Sequence, residues 1–166
     1  TERLVAEAAH CHGICYIRTT RPKTPVLYSN DEQFPAGGSK VLRKSAKDRA
    51  TVIGAGITVH EALDAASKLE AEGISIRVID AYSVKPIDAP GILSAAEDTG
   101  GRIIVVEDHY EEGGLGDAVL NAVGTQARVV KLAVREVPRS GPPEALIDRY
   151  GISSRHIVEA VRSLGQ

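Results

Sequence analysis

Thr51-Val52-Ile53-Gly54-Ala55-Gly56-Ile57-Thr58-Val59-His60-Glu61 passes from a short β-rich apolar run, through a glycine turn, into a helical pattern. A strand leading straight into a helix is the first half of a crossover, the connection that parallel strands require. The pattern recurs. Apolar runs at 51–53, 76–79, 102–106 and 129–134 read as strands, and helical spacing falls between them over roughly 58–72, 88–98 and 116–123. Two further helices are expected near 144–150 and 154–164. This alternation predicts an α/β fold: a three-layer α/β/α domain whose mostly parallel sheet of about five strands lies between helices. Val41-Leu42-Arg43 adds an edge strand, expected to be antiparallel because its link to Thr51 is too short for a crossover helix.

Upstream the pattern changes. Leu4, Val5, Ala8 and Ala9 recur at helical spacing before Gly13, a natural stop. Ile14-Cys15-Tyr16-Ile17 then reads as a strand ending at the turn Arg18-Thr19-Thr20-Arg21-Pro22, with no partner nearby. From 23 to 38, Pro25, Asn30, Asp31, Pro35, Gly37 and Gly38 supply turn chemistry without periodicity, as in a linker. The expected organisation is a terminal helix and strand at 1–28, a linker at 29–40 and a complete domain at 41–166. The chain opens without Met at Thr1-Glu2-Arg3 and runs directly into a helix, as though cut from a larger protein.

Composition narrows the function classes. With 20 basic and 22 acidic residues interspersed and only 4% aromatics, neither a nucleic-acid footprint nor a base-stacking surface is expected. No apolar run approaches the roughly 20 residues of a membrane span, so no membrane partner is expected. Two cysteines, Cys11 and Cys15, argue against a disulfide-stapled module and favour a reducing compartment, with cytoplasm the expectation.

Gly54-Ala55-Gly56, with Asp80 ending the next strand, outlines a dinucleotide fingerprint. The third glycine position holds Val59, whose side chain is expected to obstruct the close helix-strand approach of that motif. Thr58 and Glu61 have the spacing of a capping box, which accounts for the same segment structurally. Gly113-Gly114-Leu115-Gly116 also precedes a helix, where amides can cradle an anion, but no P-loop lysine accompanies it. Glu107-Asp108-His109-Tyr110-Glu111-Glu112 follows a strand's carboxyl end, the usual ligand position in open parallel sheets. A solvated or partner-facing turn is the plainer reading; a metal site or acid-base work by His109 are the alternatives. His10-Cys11-His12 and Cys15 have zinc-ligand types in an awkward arrangement, and read instead as partly buried thiols and helix-end histidines. Arg135, Arg139 and the proline-stiffened loop 137–143 either hold a carboxylate or fix a helix entry. Arg18 and Arg21 end the lone strand, where a guanidinium can grip a phosphate.

Four segments in series, 13–22, 52–56, 106–116 and 137–141, resemble those of transketolases, particularly the type found in animals, and the resemblance covers nearly the whole chain. It implies that 1–28 ends a pyrimidine-binding domain and that 41–166 is the C-terminal domain. It also implies a homodimeric, thiamine-diphosphate-dependent parent enzyme with a divalent metal, Mg or Ca, that moves two-carbon ketol units between sugar phosphates of the pentose phosphate pathway. Arg21 matches the family's substrate-contacting arginine. No catalytic, cofactor-binding or metal-binding residue of the family maps onto this chain, so alone it is expected to be inactive and to serve dimer and domain assembly. The competing reading is a free-standing module: a nucleotide-binding domain, or the small subunit of a split thiamine-dependent enzyme.

Overall fold

The computed structural model describes residues 1–21 and 23–164; Pro22 in the first predicted turn, and the last two residues of the predicted 41–166 domain, lie outside them. The elements run α1 (Glu2–Ala8), β1 (Lys40–Arg43), β2 (Thr51–Gly54), α2 (Ile57–Glu70), β3 (Arg77–Asp80), α3 (Ala89–Asp98), β4 (Arg102–Tyr110), α4 (Leu115–Val123), β5 (Arg128–Val134), α5 (Pro143–Arg149) and α6 (Ser154–Ser163). One five-stranded sheet has the order β1-β3-β2-β4-β5. The pairs β2–β3, β2–β4 and β4–β5 are parallel, and β1 joins β3 antiparallel.

Side-chain alternation explains why the central strands are apolar throughout. Val52, Val78, Ile104 and Val106 face a core closed by α2 and α6, whereas Ile53, Ile79, Ile103 and Val105 face one closed by α3 and α4. Both faces are dry. From β2 the chain moves outward to β3, then returns to place β4 on the other side of β2. The carboxyl ends of β2 and β4 therefore flank the topological switch point, where such sheets open a crevice.

Four expectations need correction. The strand at 14–17 does not form: a strand needs a ladder partner, none is within reach, and Ile14 and Tyr16 are 102% and 86% exposed. Conversely β4 continues to Tyr110, so the acidic turn expected after Val106 begins as sheet. The capping box is also rearranged. The buried Thr58 hydroxyl accepts from Ala55 N–H (3.0 Å) and donates to the Val106 carbonyl (2.8 Å), while Glu61 accepts from Ser154 N–H at 2.7 Å, capping α6 rather than its own helix. Last, Val59 does not hold α2 away from the sheet. Its side chain is buried in the domain, and Gly54 supplies the close approach.

The linker at 29–40 is a packed strap. Phe34 is buried between Tyr28 and Tyr82, with ring centroids 4.9 Å away on each side in edge-to-face geometry. Tyr82 Oη donates to the Pro35 carbonyl (3.0 Å), Gly37 N–H to Ser83 Oγ (2.9 Å), and Lys40 pairs with Glu32 at 2.5 Å.

A Cβ on Gly54 would stand 3.0 Å from the Thr58 carbonyl carbon and from Val59 N, both backbone atoms that cannot swing aside. Gly54→Ala is expected to destabilise by about 1–3 kcal/mol, as overpacking of a closed core does. Urea unfolding followed by circular dichroism measures it, and an unchanged midpoint would contradict this packing.

Candidate functional site

Glu107 organises the carboxyl end of β4. It is 3% exposed, and its carboxylate accepts from Leu115 N–H at 2.6 Å and Gly116 N–H at 3.0 Å, the first amides of α4. Burial pushes its pKa up, against the two amides and the nearby Lys131 ammonium, which favour the charged form. Gly114 and Gly116 leave room for this contact. A Cβ on Gly114 would fall 1.9 Å from Glu107 Oε2, and one on Gly116 would meet Lys131 Cδ at 2.3 Å and Glu107 Oε1 at 2.8 Å. The expected anion cradle is thus real, but its anion is the chain's own carboxylate. Asp117 and Glu111 complete the rim: Asp117 accepts from Gly113 N–H (2.7 Å) and Lys131 (2.9 Å), and Glu111 pairs with Arg135 at 2.8 Å. The arginine beside Glu111 and the hydrogen bond from Gly113 to Asp117 hold both carboxyls below their usual range.

With β4 anchored there, Asp108 stands beside the switch point and meets the extended arm 13–21. Arg18 Nη1 donates to the Asp108 carbonyl at 2.7 Å, and Nη2 approaches its carboxylate at 3.4 Å. Two residues on, the Thr20 methyl lies 3.8 Å from where a Cβ of Gly56 would stand. Gly56 itself adopts φ +63°, a left-handed conformation that favours glycine. The arm therefore touches the carboxyl end of β4 through Arg18 and passes the glycine turn after β2 at Thr20, while its own residues 13–21 and Gly56 stay exposed. Arg21 follows directly, exposed.

On the far side of β4, a groove of about 390 Å³ has an apolar floor that includes Val134, Leu146 and Ile152, and a rim that includes Arg18, His109 and Arg139. His109 Nδ1 lies 2.8 Å from the Tyr110 carbonyl, which can only accept, so Nδ1 carries the proton. Arg139 is fixed through its main chain, whose N–H donates to Tyr150 Oη at 2.6 Å. Arg135 is committed to Glu111.

Asp80, at the end of β3, is the remaining perturbed group beside the crevice. Its Oδ2 accepts from Tyr28 Oη at 2.6 Å, while the buried Oδ1 has no partner among the described residues. Burial raises the pKa of both groups, opposed at Asp80 and reinforced at Tyr28 by the bond between them. The thiols differ from expectation: Cys11 and Cys15 are exposed, because none of the described residues packs over 11–15, and their sulfurs turn to the carbonyls of Glu7 and Ala8. Among the described residues no group of three or more His, Cys, Asp or Glu side chains is placed to hold a metal ion, and no helix is long and apolar enough to cross a membrane.

Residues 39–157 match the family model described as transketolase, C-terminal domain. The chain belongs to the transketolase family. Mouse transketolase-like protein 2 is 56% identical over 164 residues, covering 98% of this chain and 26% of that protein. Human transketolase is 51% identical over 166 residues, covering 99% of this chain and 27% of that protein. The chain thus spans about a quarter of the length of the curated relatives it matches. Among solved structures, one described as a split gene transketolase, inactive beta4 tetramer, superposes with a TM-score of 0.91 at 38% identity, covering 98% of this chain and 53% of that one. A transketolase from Campylobacter jejuni shares the fold, with a TM-score of 0.57 at 19% identity.

For this transketolase-family domain, the sequence brought Arg21, the glycine turn after β2 and the segment after Val106 to notice separately. The structure gathers the turn and the segment at one switch point, with the arm that carries Arg21 passing beside it. Arg18–Asp108 and Tyr28–Asp80 were missed because contacts across 90 and 52 residues leave no spacing signal. Glu107→Ala is expected to leave two buried amides unpaired and a void, lowering stability by about 2–4 kcal/mol, with Glu107→Gln costing less because one acceptor remains. Urea unfolding compares the three proteins; an alanine variant as stable as the parent would contradict the cap.

Proposed function

We propose that this chain is the C-terminal part of a transketolase that transfers a two-carbon ketol unit from ketose phosphates to aldose phosphates. In this reading residues 1–28 end the pyrimidine-binding domain, 29–40 strap it to the C-terminal domain at 41–166, and Arg21 grips a sugar phosphate. The observation that carries it is the arm, which bonds the end of β4 through Arg18 and leaves Arg21 exposed three residues on. A guanidinium there suits phosphate, which it can bind bidentately.

The parent enzyme uses thiamine diphosphate with a divalent metal, which together supply carbanion chemistry. The described residues of this chain do not fit that cofactor. The amides at the start of α4, which would otherwise suit a diphosphate, already hold Glu107. No chemical step is therefore derived from this chain. Its contribution is assembly of a homodimeric cytoplasmic enzyme, plus one substrate contact. A split enzyme, with this chain as part of a smaller subunit, is the second reading, favoured by the 0.91 superposition on the split gene transketolase. The amides at the start of α4, already bonded to Glu107, weigh against a nucleotide-binding module.

Calorimetry on the isolated chain is expected to give no specific binding of NAD or thiamine diphosphate, whereas the complete protein transfers ketol units between sugar phosphates. Micromolar NAD affinity would overturn the reading in favour of a nucleotide-binding module, and a complete protein without ketol transfer would overturn it altogether.

A further inference from the structure

We propose that Arg18 and Asp108 are positioning residues for Arg21: the C-terminal domain sets where the substrate-gripping arginine stands by clamping the arm three residues earlier. This deepens the function proposed above and rests on its assignment of Arg21 to the sugar phosphate.

The arm has little else to hold it to the domain. Residues 13–21 belong to no ladder, and among the described residues their hydrogen bonds to the α/β domain run through Arg18 alone, to the carbonyl and carboxylate of Asp108. Thr20 adds a methyl contact over Gly56. Three residues of extended backbone span at most about 10 Å, so fixing Arg18 and Thr20 confines Arg21 to a small region above the crevice. Asp108 is a firm anchor because the preceding residue, Glu107, is buried and bonded to the start of α4.

The two arginines of the arm therefore have different roles. Both are exposed, but the guanidinium of Arg18 is committed to Asp108 and is the wrong candidate for a phosphate, whereas Arg21 has no hydrogen-bond partner among the described residues. The pair is also separable from folding. Both side chains are about half exposed, at 54% and 45%, and an ion pair in that setting adds little to stability. Its effect should appear in substrate positioning, where small displacements cost large factors in rate or affinity.

The test uses the complete protein that carries this chain, with kcat and KM measured for a ketose phosphate and for the unphosphorylated ketose, and the melting temperature recorded alongside. Arg21→Ala is expected to raise KM for the phosphorylated donor by about tenfold or more and to leave that for the unphosphorylated donor nearly unchanged. Arg18→Ala should raise the same KM by about three- to tenfold at nearly constant kcat and melting temperature. Arg18→Lys, which keeps the charge but not the fork, should fall between parent and Arg18→Ala. Asp108→Asn should cost less than Arg18→Ala, since the main-chain carbonyl of residue 108 still accepts. The double variant Arg18→Ala/Arg21→Ala should match Arg21→Ala, because a positioning residue has no effect once the positioned group is gone.

If Arg21→Ala leaves both KM values unchanged, the phosphate assignment fails and this inference with it. If Arg21→Ala raises KM but Arg18→Ala does not, only the positioning role fails. Equal losses with both donors accompanied by a lower melting temperature would show a structural role and likewise overturn the proposal.

Discussion

The carboxylate of Glu107 lies on the two amides that open α4, and the ligand-facing edge of the sheet takes its shape from that contact. Because the carboxylate is buried, its charge is tolerable only where donors converge on it, and the first turn of a helix supplies them. Gly114 and Gly116 follow from the same requirement, since any side chain there would meet the carboxylate or the Lys131 stem. With Glu107 fixed, β4 continues to Tyr110 and offers Asp108 to the arm. The order of dependence is thus helix dipole, buried glutamate, strand end, then arginine.

The same sheet order elsewhere opens a crevice that receives nucleotides. Here one feature that would serve a nucleotide is occupied from within: Glu107 fills the anion position at α4, while Thr20 passes near the exposed glycine turn after β2. Thr58 ties the turn after β2 to β4 by bonding Ala55 and the Val106 carbonyl at once.

How much of this could be read from the residues follows from the range of each signal. The strands, the helices and the antiparallel edge were legible because alternation and helical spacing are local and the apolar runs are unbroken. The strand at 14–17 was misread for the complementary reason: composition reports a residue's taste for extended backbone but not the presence of a partner. The strap had no periodicity to report, and only its burial of Phe34 distinguishes it from a loose linker. Glu107 looked like one of several solvated carboxylates because nothing in its neighbourhood reveals that β4 runs past Val106. Arg21 stands out through family resemblance alone, and the Arg18–Asp108 contact three residues earlier is one that no spacing rule encodes.

The central claim is that the arm passes the glycine turn at the switch point of the sheet. Nuclear Overhauser spectroscopy on the labelled chain tests it directly, through cross-peaks from the Thr20 methyl protons to the α protons of Gly56. A methyl carbon 3.8 Å from the Cβ position of Gly56 predicts a clear cross-peak. Its absence, with Thr20 and Gly56 both assigned and their signals sharp, would mean that the arm does not pass the glycine turn and would contradict the account.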